Sequence, residues 1–254
     1  YIKKKKIKKV ILKDFYFKEF LKEKFKNIEF VSLEKKKYII LKNILNFFRN
    51  IYFLIKLFFY RNDERKNKIL KNKRIILLDI FMIKSMFDGK KFKDRYYGNF
   101  FNKNKEIFFL PIFFNSSLNK SNLSSLKEKA NYILHSDFLT LRDFFLILIS
   151  FLKINFIKEK KVFFGRHNIK KLISNELSEK RYSHALLNAI TTFYFFKQLK
   201  KKKINLHAGI DWFENQIVDK SFNYCISKFF PKIKLKGYMG INADLNVNNF
   251  LIPS

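Results

Sequence analysis

The clearest change of hydrophobic period in the chain falls between residues 204 and 240. Ile204, Leu206 and Ala208 alternate with polar neighbours, the two-residue period of a strand entering a core. A turn is expected at Gly209, followed by a knot of functional groups: Asp211, Trp212, Glu214, Asn215 and Gln216. The period then becomes helical. Ile217, Val218, Ser221, Phe222, Cys225, Ile226 and Phe229 share one face, with Asp219, Lys220, Asn223 and Lys228 opposite. Pro231 stops that helix, and Ile233 and Leu235 alternate with lysines into a second strand. The pattern predicts a β-loop-α-β unit. Its functional groups cluster where strand gives way to helix, the usual ligand position in an open α/β sheet.

Upstream, the same reading predicts a short helix over 15–25, a strand over 28–33 and a long helix over 39–61. Lys42, Asn43, Asn46, Arg49, Asn50 and Lys56 draw a polar stripe along that helix, too polar for a clean transmembrane span. Two readings stand for it: a helix packed on a sheet, or an interfacial helix on an anionic membrane. Residues 63–73 read as a charged linker. RIILLDI at 74–80 predicts a strand buried on both faces. EIFFLPIFF at 106–114 predicts the next, with Pro111 placing it at a sheet edge or strand end. A Ser/Asn-rich loop over 115–125, a helical turn over 126–130 and a short strand over 132–135 follow. Helices are expected over 141–157, 168–177 and 183–199. The whole is α/β: a Rossmann-like, open, mostly parallel sheet flanked by helices. The expected domains are a basic, helix-rich leading segment (1–72), the Rossmann-like domain (73–241), and the start of a linker to a further C-terminal domain (242–254).

Composition changes this picture less than it first promises. The formal charge is +33 over 254 residues, which invites a nucleic-acid partner. Yet lysine is spread along the whole chain and accompanied by Asn, Ile, Phe and Tyr, with only 6 Gly and 3 Pro. AT-rich coding produces that bias in any protein, so nucleic acid is discounted and attraction to anionic surfaces is retained. The first residue is Tyr, and the sequence reads as a fragment of a longer frame. A single cysteine, Cys225, excludes an internal disulfide and a cysteine-rich zinc site, and its position on the apolar helix face predicts a packed thiol. The four histidines, including His135, show no metal-binding spacing. No phosphate-binding loop, dinucleotide fingerprint or nucleophile elbow is present.

Candidate chemistry gathers at two loops. The first follows the strand at 74–80 and carries Asp88, Asp94, Arg95, Tyr96 and Tyr97. The second is the knot, where Asp211 and Glu214 also fit a capping box that merely starts the helix. Glu214, close to a helix N-terminus, suits a base that grips a hydroxyl.

The segment DWFENQIVDKSFNYCISKFFPKIKLKGYMG resembles bacterial surface carbohydrate biosynthesis proteins of the O-antigen or capsule transferase kind. There an E-N-Q element opens a helix and a G-Y-x-G element follows the next strand. FKDRYYG at 92–98 and HSDFLTLRDFFLIL at 135–148 fall in the corresponding order. The resemblance implies the N-terminal half of a glycosyltransferase-B-like architecture. It implies metal-independent sugar transfer from a nucleotide-sugar, the donor substrate, to a glycan or lipid-linked acceptor, with no further cofactor. Carried over, Glu214 is the catalytic base. Asn215, Gln216, Gly237, Tyr238 and Gly240 carry over as substrate-binding residues, the two candidate loops add Arg95, Tyr97 and Asp211 to that set, and no residue is a metal ligand. Met239 departs from the polar residue usual at its position. The expected location is the cytoplasm, with peripheral contact to the inner membrane.

Overall fold

The computed structural model describes residues 9–12, 18, 21–22, 26–32, 36–71, 74–88, 91–94, 97, 105–114, 117–154, 163–164, 167–170, 173–174, 177, 181–212 and 217–238. The chain divides into two compact units, one of residues 1–50 with 151–183, the other of 51–150 with 184–254.

In the first unit, β1 (Lys9–Leu12) and β2 (Glu29–Ser32) form a parallel pair. The helix α1 (Lys36–Phe59) begins in this unit and ends in the other. Within the first unit Phe47 stacks on Phe151 with ring centroids 6.5 Å apart and meets the edge of Tyr182 at 5.1 Å.

The second unit holds the sheet. In chain order it contains α2 (Asp63–Leu70), β3 (Ile75–Met82), the hairpin β4 (Phe87–Asp88) and β5 (Lys91–Phe92), β6 (Ile107–Phe113), and α3 (Lys120–Lys129). Next come α4 (Leu141–Lys153, its end in the first unit), the two-stranded pair β7 (Phe163–Phe164) and β8 (His167–Asn168) of the first unit, and α5 (His184–Lys201). The chain closes with β9 (Leu206–Trp212), α6 (Ile217–Phe229) and β10 (Lys234–Tyr238). Four strands pair in the order β10-β9-β3-β6, all parallel. The α/β class and the parallel sheet are therefore as the sequence predicts.

The physical reasons are local ones. β3 and β6 are apolar without alternation, and nearly every side chain in them is buried, as a parallel strand covered on both faces requires. Pro111 lies in β6 at the sheet edge, the place open to a residue without an N–H. β10 is the opposite edge, and its exposed Lys234 and Lys236 discourage further pairing. Beneath the sheet α5 and α6 pack through Phe196, whose ring meets Phe222 edge-on at 5.5 Å. Cys225 is buried there as a packed thiol.

Five local expectations are corrected. Gly209 lies within β9 rather than at a turn. Residues 63–70 form α2 rather than a linker, because Asn62 caps it at the Arg65 N–H and Arg65 is anchored by the buried Asp137. The helix α3 begins at Lys120 inside the expected loop, capped by Asn119 on the Asn122 N–H. The strand expected at 132–135 shrinks to a single bridge from Tyr132 to Phe109, followed by a 3-10 turn at His135–Asp137. On α6, Ile217 is exposed whereas Asp219, expected on the solvent side, is fully buried.

Candidate active site at the sheet switch point

The order β10-β9-β3-β6 means that the chain leaves β3 toward one side and returns to its other side with β9. β3 and β9 therefore straddle the point where strand order reverses, and ligands of open parallel sheets bind outside the carboxyl ends at such a point. Leu78 of β3 pairs with Ile210 of β9, so Asp79 and Asp211 follow side by side, one position further along each strand. Asp219, from the first turn of α6, completes the group. One carboxylate oxygen from each of the three lies within 4.8 Å of the others.

All three aspartates are 0% exposed. Asn223, one turn further along α6 than Asp219, donates to Asp211 Oδ2 at 2.8 Å. Among the described residues, no donor reaches either carboxylate oxygen of Asp79 or Oδ1 of Asp211 at hydrogen-bonding geometry. The Ile80 N–H is near enough to draw the Asp79 carboxyl slightly downward, but not at hydrogen-bonding geometry. Burial dominates the other way, and with the charges of Asp211 and Asp219 it pushes Asp79 well above the usual carboxylate range. Asp211 is pushed up to about 7, first by burial and then by Asp219, against the bond from Asn223 and the proximity of Asp79. Carboxyls this close titrate as a pair sharing a proton.

Aromatic side chains pack at the same strand ends. Tyr97 donates its hydroxyl to the Asp79 carbonyl at 3.0 Å, and its ring meets Trp212 edge-on at 6.0 Å. Gly237 pairs with Asp211 and Tyr238 with Trp212 across the β10–β9 ladder. Of the site residues expected from sequence, the structure thus brings Tyr97, Asp211, Gly237 and the Tyr238 backbone to the carboxyl end of β9. Tyr97 and Asp211 are buried rather than facing solvent. Glu214, Asn215, Gln216, Arg95 and Gly240 lie outside the described residues.

The capping role open to Asp211 is corrected. The residue sits within β9, well before the first helical residue, Ile217, and its carboxylate bonds to Asn223 instead. Sequence reasoning passed over Asp79 and Asp219. The signal for Asp79 was present: an acid within a run otherwise apolar on both faces has to be neutralised or paired. Asp219 had none, since an acid in the first turn of a helix is ordinarily a solvated dipole partner.

Elsewhere in this unit His135 is a core residue. It is buried, its Nε2 lies 3.1 Å from Thr192 Oγ1, and its ring meets Phe195 edge-on at 5.1 Å. Burial lowers its pKa to about 3. A depression of about 320 Å³ between α5 and α6, lined by Phe193, Tyr194, Tyr224 and Cys225, contains none of the three aspartates. Among the described residues, no helix is long and apolar enough to cross a membrane. Comparison of the chain with protein-family models, with curated proteins and with solved structures found no match.

Proposed function

We propose that this chain is a glycosyltransferase-like enzyme of bacterial surface polysaccharide assembly, moving a sugar from a nucleotide-sugar to a glycan acceptor. The observation that carries the reading is the placement of Asp79 and Asp211 at the switch point of a parallel sheet. Only four residues, 213–216, connect that strand end to α6, and they include Glu214, Asn215 and Gln216. In this reading Glu214 takes the proton of the acceptor hydroxyl as its oxygen bonds to the anomeric carbon. The bond from that carbon to the diphosphate oxygen breaks, and the nucleoside diphosphate leaves with the electron pair. Asn215, Gln216 and the backbone at Gly237 and Gly240 hold sugar and phosphate oxygens, and Arg95 offsets diphosphate charge. Tyr97 and Asp211, being buried, act as support beneath the reacting groups.

The test is nucleoside diphosphate release from a panel of UDP-, GDP- and dTDP-sugars with glycan or lipid-linked acceptors. Replacing Glu214 by Gln is expected to lower turnover by about 10²–10⁴-fold, the usual share of a general base. A Glu214→Gln variant working at the unmodified rate on a donor that the chain does turn over refutes the assignment.

A second reading, peripheral attachment to an anionic membrane, is favoured by α1. Tyr38, Leu41, Leu45 and Phe48 are all exposed along the part of this helix in the first unit, with Lys42 and Arg49 beside them. Sedimentation with phosphatidylglycerol vesicles and loss of binding in Leu45→Glu/Phe48→Glu would support it. Equal binding by that variant would refute it.

A further inference from the structure

We propose that Asp79, Asp211 and Asp219 form a binding site for a hard divalent cation of the magnesium or manganese class. Acidic side chains cluster for many reasons, and what singles this cluster out is Asp79. Its side chain is 0% exposed, it points into the group, and among the described residues neither of its carboxylate oxygens receives a hydrogen bond. Asp211 Oδ1 is equally without a donor. Buried polar oxygens in folded proteins almost always have a partner, and a buried carboxyl with none is completed either by a proton or by a cation that the protein binds.

The spacing fits. Ligand oxygens about 2.1 Å from an octahedral magnesium or manganese lie about 3.0 Å apart when adjacent and about 4.2 Å apart when opposite. At calcium distances of about 2.4 Å those separations become about 3.4 and 4.8 Å. One oxygen from each aspartate already lies within 4.8 Å of the others, so a small closure of the side chains completes a three-oxygen set. Two of the donors sit on neighbouring strands and the third on the first turn of α6, rigid elements that hold such a set in place. The set is all oxygen, without histidine or cysteine, which selects hard cations over zinc or copper. The chain as a whole, at +33, repels cations, so a divalent ion held by it has to be held by a local carboxylate site.

The inference stands on the carboxylates alone and holds whether or not the chain transfers a sugar. It departs from the metal independence that the sequence resemblance implies. The competing occupant is a proton shared between Asp79 and Asp211, which relieves the same repulsion but gains nothing from added metal.

Titration of the whole chain with Mn2+, followed by electron paramagnetic resonance of the free ion, separates the two. Binding of one equivalent, displaced by Mg2+, and an affinity at least about tenfold lower in Asp79→Asn are expected. With Mg2+ at about a hundredfold over its Kd, the melting temperature of the unmodified chain should rise by roughly 5 °C or more, and that of Asp79→Asn should not. Asp219→Asn provides a second variant if the first does not fold. Mn2+ that stays free in the presence of the unmodified chain overturns the proposal. So does a folded Asp79→Asn or Asp219→Asn that binds as tightly, since the ion would then be held elsewhere.

Discussion

Lowering the pH should unfold this protein through His135, by an amount that follows from its burial. The imidazole packs against Phe195, and its Nε2 contacts the Thr192 hydroxyl. Its folded pKa is about 3, against an ordinary value of 6.5. Between those values the unfolded chain carries a proton on this ring and the folded chain does not. Stability is therefore fully present above pH 6.5 and falls as the pH drops toward 3. Each unit of that interval is worth about 1.4 kcal/mol, so by about pH 4.5 the loss from this residue alone is ~3 kcal/mol. Such a loss is a large share of the 5–15 kcal/mol or so that holds an ordinary domain together. Buried carboxylates titrate in the same range, and the comparison that isolates His135 is with His135→Gln, which keeps a polar group near the Nε2 position and has no titration. Urea unfolding of both proteins at about pH 7 and about pH 4.5, followed by far-UV circular dichroism, gives the four free energies needed. The gap between the proteins should move in favour of the variant by ~3 kcal/mol on acidification. Parallel pH profiles would show that the ring takes up its proton in the folded protein, and the buried neutral imidazole would have to be abandoned.

Asp137 anchors α2 by accepting from Arg65 Nε and Nη2, each at 2.7 Å, and from the N–H groups of Asn62 and Leu134, each at 2.9 Å. Burial raises the Asp137 carboxyl against the pull of Arg65, whereas Arg65 itself is raised because Asp137 outweighs its own burial. These shifts disagree about the charged pair, and the four short bonds favour it. Asp137→Asn should thus cost about 3–5 kcal/mol in urea unfolding by stranding the Arg65 charge, and a loss under about 1 kcal/mol would refute a desolvated pair. Gly209 precedes Asp211 in β9, and a Cβ there collides with Ile226 Cδ1 and comes within 3.4 Å of Phe222 Cε1. Gly209→Ala should cost about 1–3 kcal/mol, and Ile226→Val in the same chain should recover part of it by removing the colliding methyl. Absence of that rescue would mean that backbone conformation, not crowding, sets the cost.

Much of the fold is legible along the chain. Apolar runs at 75–82, interrupted only by Asp79, and at 107–113 identify strands buried on both faces, and Pro111 fits the edge position of β6. The change from a two-residue to a helical period around Asp211 marks β9 and α6, and it buries Cys225. These are properties of neighbouring residues, and periodicity reports them directly. Tertiary structure decided the rest. The polar segment 63–70 has almost no apolar period, and its helix depends on a carboxylate from a distant turn. Asp79 and Asp211 are far apart in the chain and meet only because β9 returns to the open side of β3 in one particular register. Asp219 joins them only because α6 turns Val218 and Asp219 inward, leaving Ile217 in solvent. Which strands become neighbours, and in what register, is set by long-range burial rather than by local preference. For that reason the four strands of the parallel sheet could be read from the sequence, but the three aspartates could not be read as one site.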